Sequence, residues 1–394
     1  MWLLFKLINI FWLLASTYFW VTALLPIGPL LVMVNVAMII CLGMLSLDIR
    51  LNRQVGLTFL FITLITIWFC YIDGIAMGIT TLLMYMPAIY IMVLPAAYQK
   101  DLLDFTTKWY AILLIPGLFL YGITQFVNLP SLGEFVHPNY PPYLNYVLYI
   151  KTTFDYGHLE RFNSFFLEPG HQALLSTFLL MANRYRFMKC KWLWILGISI
   201  ILSFSLAGYL LALLGFILLK IRSVIQVVVS AILLTVLVIA VQNFSGGNNA
   251  LNDMIISRLE RDESSGIKGN NRFAGNTDFV YQRSVESGEA LTGVKERTNM
   301  ELIAGAGYKI YIINYGYIGT LLALFIYLSM IPSKPDYRYT ISFLIILILC
   351  FLQRAYPAWY SWLFPYVIGI YLAKAEKEPD ENESAQPADL STNQ

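Results

Sequence analysis

The 394-residue sequence is 58% hydrophobic and 13% charged, with a net charge of +2 and a mean hydropathy of +0.65. A soluble chain carries roughly 25% charged residues; half of that cannot cover a water-facing surface, which excludes a soluble multidomain enzyme. A charge of +2 is too small to draw nucleic acid. The apolar residues come in long blocks rather than in short alternating strands, which excludes a β-barrel and predicts an all-α, polytopic membrane protein.

Allowing about 20 apolar residues per span, fewer where a helix breaks, twelve spans are predicted: 2–24, 28–47, 56–73, 76–98, 107–127, 166–183, 192–205, 206–220, 224–242, 311–331, 340–353 and 358–373. The first has only Lys6 near its start and no small-x-small cleavage site behind it, so it is expected to be a retained helix rather than a removed signal peptide. The seventh and eighth share one apolar run, divided at Ser205-Leu206-Ala207-Gly208. Arg50, Arg53, Lys100, Arg184, Arg186, Lys189, Lys191, Lys220, Arg222, Lys334 and Arg338 fall in alternate links. The positive-inside rule puts those links and both termini in the cytoplasm.

The chain is therefore expected to comprise N-terminal spans over 1–127, a first outer loop over 128–168, central spans over 169–242, a second outer loop over 243–310 and C-terminal spans over 311–373. The tail over 374–394 is acidic, lacks apolar residues to bury and is expected to be disordered and cytoplasmic. Cys41, Cys70, Cys190 and Cys350 have neither disulfide nor metal-ligand spacing. No internal repeat is visible, which weighs against an inverted-repeat transporter.

Connections as long as the two outer loops are functional or disordered when they sit in a compact fold. The first carries Pro130, Pro138, Pro141 and Pro142 among aromatics, with Tyr140 and Tyr143 offering ring faces to a sugar or simply lying at the membrane interface. Its end, Glu160-Arg161-Phe162-Asn163-Ser164-Phe165-Phe166-Leu167-Glu168-Pro169-Gly170-His171-Gln172, is the densest polar cluster and runs straight into the sixth span. Pro169 suits a first helical turn and Glu168 the N-cap, where the helix dipole favours a carboxylate, with His171 in the same turn. A carboxylate, an imidazole and the nearby Arg161 make a candidate acid/base and anion-binding site. The structural alternative is a capped helix closed by an Arg161–Glu168 salt bridge.

In the second loop, amphipathic pieces such as Met254–Leu259 predict short helices over the membrane mouth. Arg258 and Arg272 flank its Gly266–Asn271 turn. The planar guanidinium fork is the preferred ligand for phosphate, the alternative being local ion pairs. Arg354, near the outer end of the eleventh span, is either a binding residue or a snorkelling charge. No P-loop, GxSxG, HExxH or paired-aspartate metal pattern occurs, so neither metal nor cofactor is expected.

The stretch Arg161–His171 is followed by Ser203-Phe204-Ser205-Leu206-Ala207-Gly208, by Gly305-Ala306-Gly307-Tyr308-Lys309 and by Asn314-Tyr315-Gly316-Tyr317-Ile318-Gly319. In order and spacing, from about residue 105 onward, the chain resembles the bacterial oligosaccharide repeat-unit polymerases, the O-antigen and capsule polymerases related to the O-antigen ligases. It departs at Leu206, where many relatives carry Arg, and in having Tyr308 and Lys309 rather than a His ahead of the Gly-x-x-Gly helix. The second departure favours polymerase over ligase.

The resemblance implies a GT-C-like helical bundle in the bacterial inner membrane, with two large periplasmic loops and a metal-independent glycosyltransferase site facing the periplasm. Its partners would be polyprenyl-pyrophosphate-linked oligosaccharides and the lipid bilayer, with a chain-length regulator and a flippase as companions. The growing glycan on its lipid pyrophosphate is the donor, and a hydroxyl of the incoming lipid-linked unit attacks it. Arg161, Arg258 and Arg272 would hold the pyrophosphate, and Glu168, or His171 in its place, would take the acceptor proton. Tyr140, Tyr143, Tyr308, Lys309 and Arg354 would line the substrate site. A lipid-linked oligosaccharide flippase and an O-antigen ligase are the competing readings.

Overall fold

The computed structural model describes residues 1–17, 19–23, 25–45, 51–137, 140–153, 160–220, 236, 239, 243, 276–294 and 306–375. Within them the chain is predominantly helical: α1 (Trp2–Ala15), α2 (Trp20–Ala23), α3 (Ile27–Met44), α4 (Arg53–Asp73), α5 (Ile75–Met92), α6 (Ala96–Thr124), α7 (Pro169–Ala182), α8 (Trp192–Leu202), α9 (Leu206–Lys220), α10 (Asn276–Glu286), α11 (Gly307–Ser329), α12 (Tyr337–Gln353) and α13 (Tyr360–Ala375). Among the described residues, five of these, α3, α4, α5, α6 and α11, are long and apolar enough to cross a membrane. Met33, Ile67, Phe119 and Leu321 expose more than half of their surface on the outside of these helices. Such an apolar rind suits lipid and not water, and the protein is membrane-embedded.

Ten of the expected spans each contain one helix, α3 to α9 and α11 to α13, with shifted ends. The ninth, 224–242, apart from Val236 and Ile239, lies outside the described residues, as do Met254–Leu259, Arg258, Arg272 and the tail past residue 375. The first expected span is broken rather than continuous. Ser16 and Thr17 turn their hydroxyls back onto the Leu13 carbonyl at 3.2 and 2.7 Å, competing with the helical ladder as short hydroxyl side chains do. The chain then opens: Trp20 N–H donates to the Phe165 carbonyl at 3.1 Å, and Phe19 bridges to Phe166. The break thus receives the segment that leads into α7.

The segment over 128–168 holds a feature the helical reading omits, a three-stranded antiparallel sheet in the order β1 (Glu134–Phe135), β2 (Tyr143–Asn145), β3 (Ile150–Thr152). Phe135 faces Tyr143 across one pair, and Tyr143 faces Thr152 across the other. Phe135, Tyr143, Ile150 and Leu167 bury a small core of their own, so the strands are held by packing that local sequence periodicity does not reveal.

At the centre stands α7, whose side chains from Gly170 to Ala182 are all buried. A helix buried on every face belongs inside a bundle, and α7 packs against α8, α9 and α13. Gly208 permits the α7–α9 crossing, since a Cβ there would lie 2.6 Å from the Ala173 Cβ. The pillar's N-terminus carries Glu168.

Candidate functional site

Glu168 occupies the N-cap of α7 in extended backbone, with Pro169 in the first helical turn. Its carboxylate makes no cap hydrogen bond; Oε2 instead accepts from Arg354 Nη2 at 2.5 Å. Arg354 is thus a partner of Glu168 that lies far from it in sequence. Two glycines make room for it. A Cβ on Gly307, at the start of α11, would lie 2.4 Å from the Arg354 backbone, and one on Gly170 would lie 2.9 Å from Arg354 Nη2.

The Arg354 side chain is 11% exposed and that of Glu168 is 30%. Burial opposes the guanidinium's charge, yet the Glu168 carboxylate and its hydrogen bond raise the Arg354 pKa above the ordinary arginine value. Arg354 Nε is buried and has no hydrogen-bond partner among the described residues. A buried cationic donor left unpaired costs more than about 1–3 kcal/mol, so this guanidinium is equipped to accept an anion beyond Glu168.

His171 sits one turn into α7 with Nε2 3.7 Å from Glu168 Oε2. Its ring meets Trp359 edge-on, at 4.9 Å and 81°. With 1% of its side chain exposed against 30% for Glu168, it is the more deeply buried of the two. Beneath it Gln172 donates to Ser176 and Ser199 at 2.9 and 2.6 Å, and Tyr110 shares the Ser176 hydroxyl at 3.3 Å. This buried network ties α6, α7 and α8 together below the site.

Arg161 stands on the adjoining wall. Its Nε donates to the Ser203 carbonyl at 3.1 Å, while Phe162 N–H donates to the Leu202 carbonyl at 2.9 Å. Both bonds use carbonyls freed where α8 ends, and Phe204 in that break has φ +45°. Ser205 Oγ caps α9 by accepting from Gly208 N–H at 3.3 Å. The point where a Gly170 Cβ would sit lies 3.8 Å from Ser205 Oγ and 3.9 Å from Glu168 Oε2, so Ser205, Glu168 and Arg354 converge on one small volume.

The other described candidates have partners of their own. Tyr143 does not offer an open face; it is 2% exposed, and its hydroxyl donates to the Leu167 carbonyl at 2.5 Å, pinning the residue before Glu168. Tyr140 packs at the edge of the same core, beside His137. Lys309 pairs with Asp278 at 2.9 Å and lies over the Tyr281 and Tyr308 rings, fastening α10 onto α11. Gly316, at φ +69° inside α11, makes a kink on which the chain at Leu291–Thr292 rests; a Cβ there would meet the Leu291 carbonyl oxygen at 2.4 Å.

Sequence reasoning missed Ser205, Tyr356 and Trp359 as members of this neighbourhood. The available signal was the aromatic turn Tyr356-Pro357-Ala358-Trp359 directly after Arg354. It also missed an apolar cleft of about 200 Å³ between α11 and α12, lined by Ala323, Leu324, Leu347, Ile348, Phe351 and Pro357 among others. Phe351 and Pro357, two of its lining residues, flank Arg354 in sequence. No family model, curated protein or solved structure matches this chain.

Proposed function

We propose that this protein is a surface-polysaccharide polymerase that extends a glycan carried on polyprenyl pyrophosphate at the periplasmic face of a bacterial inner membrane. In this reading twelve helices cross the membrane, both termini are cytoplasmic, and the two long loops are periplasmic. The observation that carries it is the Arg354 guanidinium: buried, bonded to Glu168 through Nη2, with Nε unpaired among the described residues, in a protein that also holds an apolar cleft between α11 and α12. An anion with a long apolar tail is the ligand that satisfies both features.

Arg354, with Arg161 on the adjoining wall, would stabilise the negative charge that develops on the departing pyrophosphate. The acceptor hydroxyl attacks the donor's anomeric carbon, a new C–O bond forms, and the bond to pyrophosphate breaks with its electron pair leaving on the lipid diphosphate. The hydroxyl proton goes to Glu168, the more exposed member of the Glu168–His171 couple. Purified protein given lipid-linked repeat units should lengthen them, and Arg354→Gln or Glu168→Gln should not. Translocation without lengthening would mean a flippase, and transfer only to an acceptor other than a repeat unit would mean a ligase.

A further inference from the structure

The short link between α7 and α8 carries Arg184, Arg186, Lys189 and Lys191 and contains no acid. Lys189 and Lys191 are exposed, and among the described residues neither pairs with a carboxylate. Asp104 on α6 lies near enough to act on the Cys190 thiol between them, but it bonds to neither. Beside Lys189 stands Met188, 93% exposed. A surface that shows water both bare cations and a bare apolar side chain is suited to an amphiphile.

The backbone that presents these lysines is fixed. Tyr185 fastens the link to α9, its hydroxyl donating to the Ala212 carbonyl at 2.9 Å. Lys189 and Cys190 N–H both donate to the Arg186 carbonyl, at 2.9 and 3.0 Å. Leu193 and Trp194 N–H, in the first turn of α8, donate to the Cys190 and Lys191 carbonyls at 3.1 and 3.2 Å. Phe187 folds back onto α8, its ring 4.8 Å from that of Trp194 and 3.7 Å from where a Gly197 Cβ would sit. The lysines are thereby held at the head of α8.

α8 has two faces. Leu193, Leu196, Ser199 and Ile200 are buried, and the helix packs against α6 and α7. Trp194, Ile198 and Ile201 are 55%, 44% and 60% exposed. Their i, i+4, i+7 spacing lines them up on one side of the helix, as a stripe about 10 Å long. Cations at the head of an apolar stripe complement an anionic headgroup followed by a hydrocarbon chain. A soluble anion would leave the stripe bare, and a zwitterionic lipid would bring no net charge to the lysines. The positive-inside rule directs this link to the cytoplasmic leaflet, whose anionic lipids make its surface negative.

We infer that the α7–α8 link and the outward face of α8 form a binding site for an anionic phospholipid: Lys189 and Lys191 take the phosphate, and one acyl chain lies along Trp194, Ile198 and Ile201. The inference rests on the protein being membrane-embedded and is independent of the polymerase reading.

The test adds lipid to the purified full-length protein in detergent and reads bound lipid by native mass spectrometry. The probes are phosphatidylglycerol, phosphatidylcholine with the same chains, and glycerol phosphate as the chain-free anion. Wild-type protein should bind phosphatidylglycerol about tenfold more tightly than phosphatidylcholine and should not retain glycerol phosphate. Lys189→Gln combined with Lys191→Gln should weaken phosphatidylglycerol about 20-fold and leave phosphatidylcholine within about twofold. Ile198→Ser combined with Ile201→Ser should weaken both lipids. A charge-matched control, Arg53→Gln on α4 with Lys374→Gln on α13, should leave phosphatidylglycerol within about twofold of wild type. If this control costs as much as the link lysines, the attraction is spread over the whole surface and the site is overturned. Phosphatidylglycerol binding that survives loss of both link lysines, or glycerol phosphate that binds as tightly as the lipid, overturns it likewise.

Discussion

Among the described residues, two ion pairs stand at helix termini, Glu168 with Arg354 and Asp278 with Lys309. Their exposures are nearly the same, 30% and 11% for the first and 25% and 10% for the second, so burial does not distinguish them. The cation and its company do. Arg354 spends Nη2 on Glu168 and retains an unpaired Nε, with His171 and Ser205 close by. Lys309 is an ammonium enclosed by one carboxylate and two tyrosine rings. A forked donor can satisfy a protein carboxylate and still receive a second anion, whereas a point charge ringed by aromatics works as a fastener. The same pairing of charges therefore marks a place for chemistry in one region and a structural clip in the other.

The widest separation between the two regions should come from removing each cation. Arg354→Gln is expected to lower polymerisation of lipid-linked units by about 10²–10³-fold, while Lys309→Met stays within a few-fold, both measured at equal membrane expression. Equal losses would erase the distinction. Arg354→Lys should recover little, because an ammonium lacks the second, fixed donor. Next comes Glu168→Gln, expected to cost about 10²-fold or more in turnover and to destabilise the bundle by about 3 kcal/mol, since the guanidinium loses its counter-charge; a thermal melt and a turnover assay read the two effects separately.

Smaller effects sharpen the geometry. Gly307→Ala pushes a Cβ against the Arg354 backbone, which cannot rotate aside, and a displacement near 1 Å there should lower turnover by up to about 10²-fold. Gly170→Ala meets only the tip of the Arg354 side chain and should cost less than Gly307→Ala in the same assay. Lys309→Met should instead show as about 1 kcal/mol of lost stability and as faster proteolysis across residues 276–294. Smallest is Tyr143→Phe, which loses one hydrogen bond to the Leu167 carbonyl and should lower stability by about 1 kcal/mol.

Much of the fold was legible because its signals are local. Long apolar blocks name the solvent, and breaks in them locate the helix ends, including the one between α8 and α9 at Ser203–Ser205. Glu168 at the N-cap with Pro169 behind it needed no more than one helical turn of sequence. The Ser16–Thr17 break was harder to see, since hydroxyl side chains end a helix only when the chain has somewhere else to go, here the Phe165–Phe166 strand-like segment. The small sheet between α6 and α7 was invisible for a related reason: strands of two or three residues are shorter than any period that could announce them.

The sequence by itself determined a membrane-embedded helical protein with a carboxylate, an imidazole and a proline at the start of one helix, because hydropathy and capping act over neighbouring residues. Only the tertiary structure decided that Glu168 answers to Arg354, 186 positions away. That choice depends on α7, α11 and α12 meeting at one point, and on Gly170 and Gly307 leaving space for a guanidinium there. Nothing in the local pattern encodes such a meeting, since the partner of a buried charge is set by whichever segments packing brings within about 4 Å.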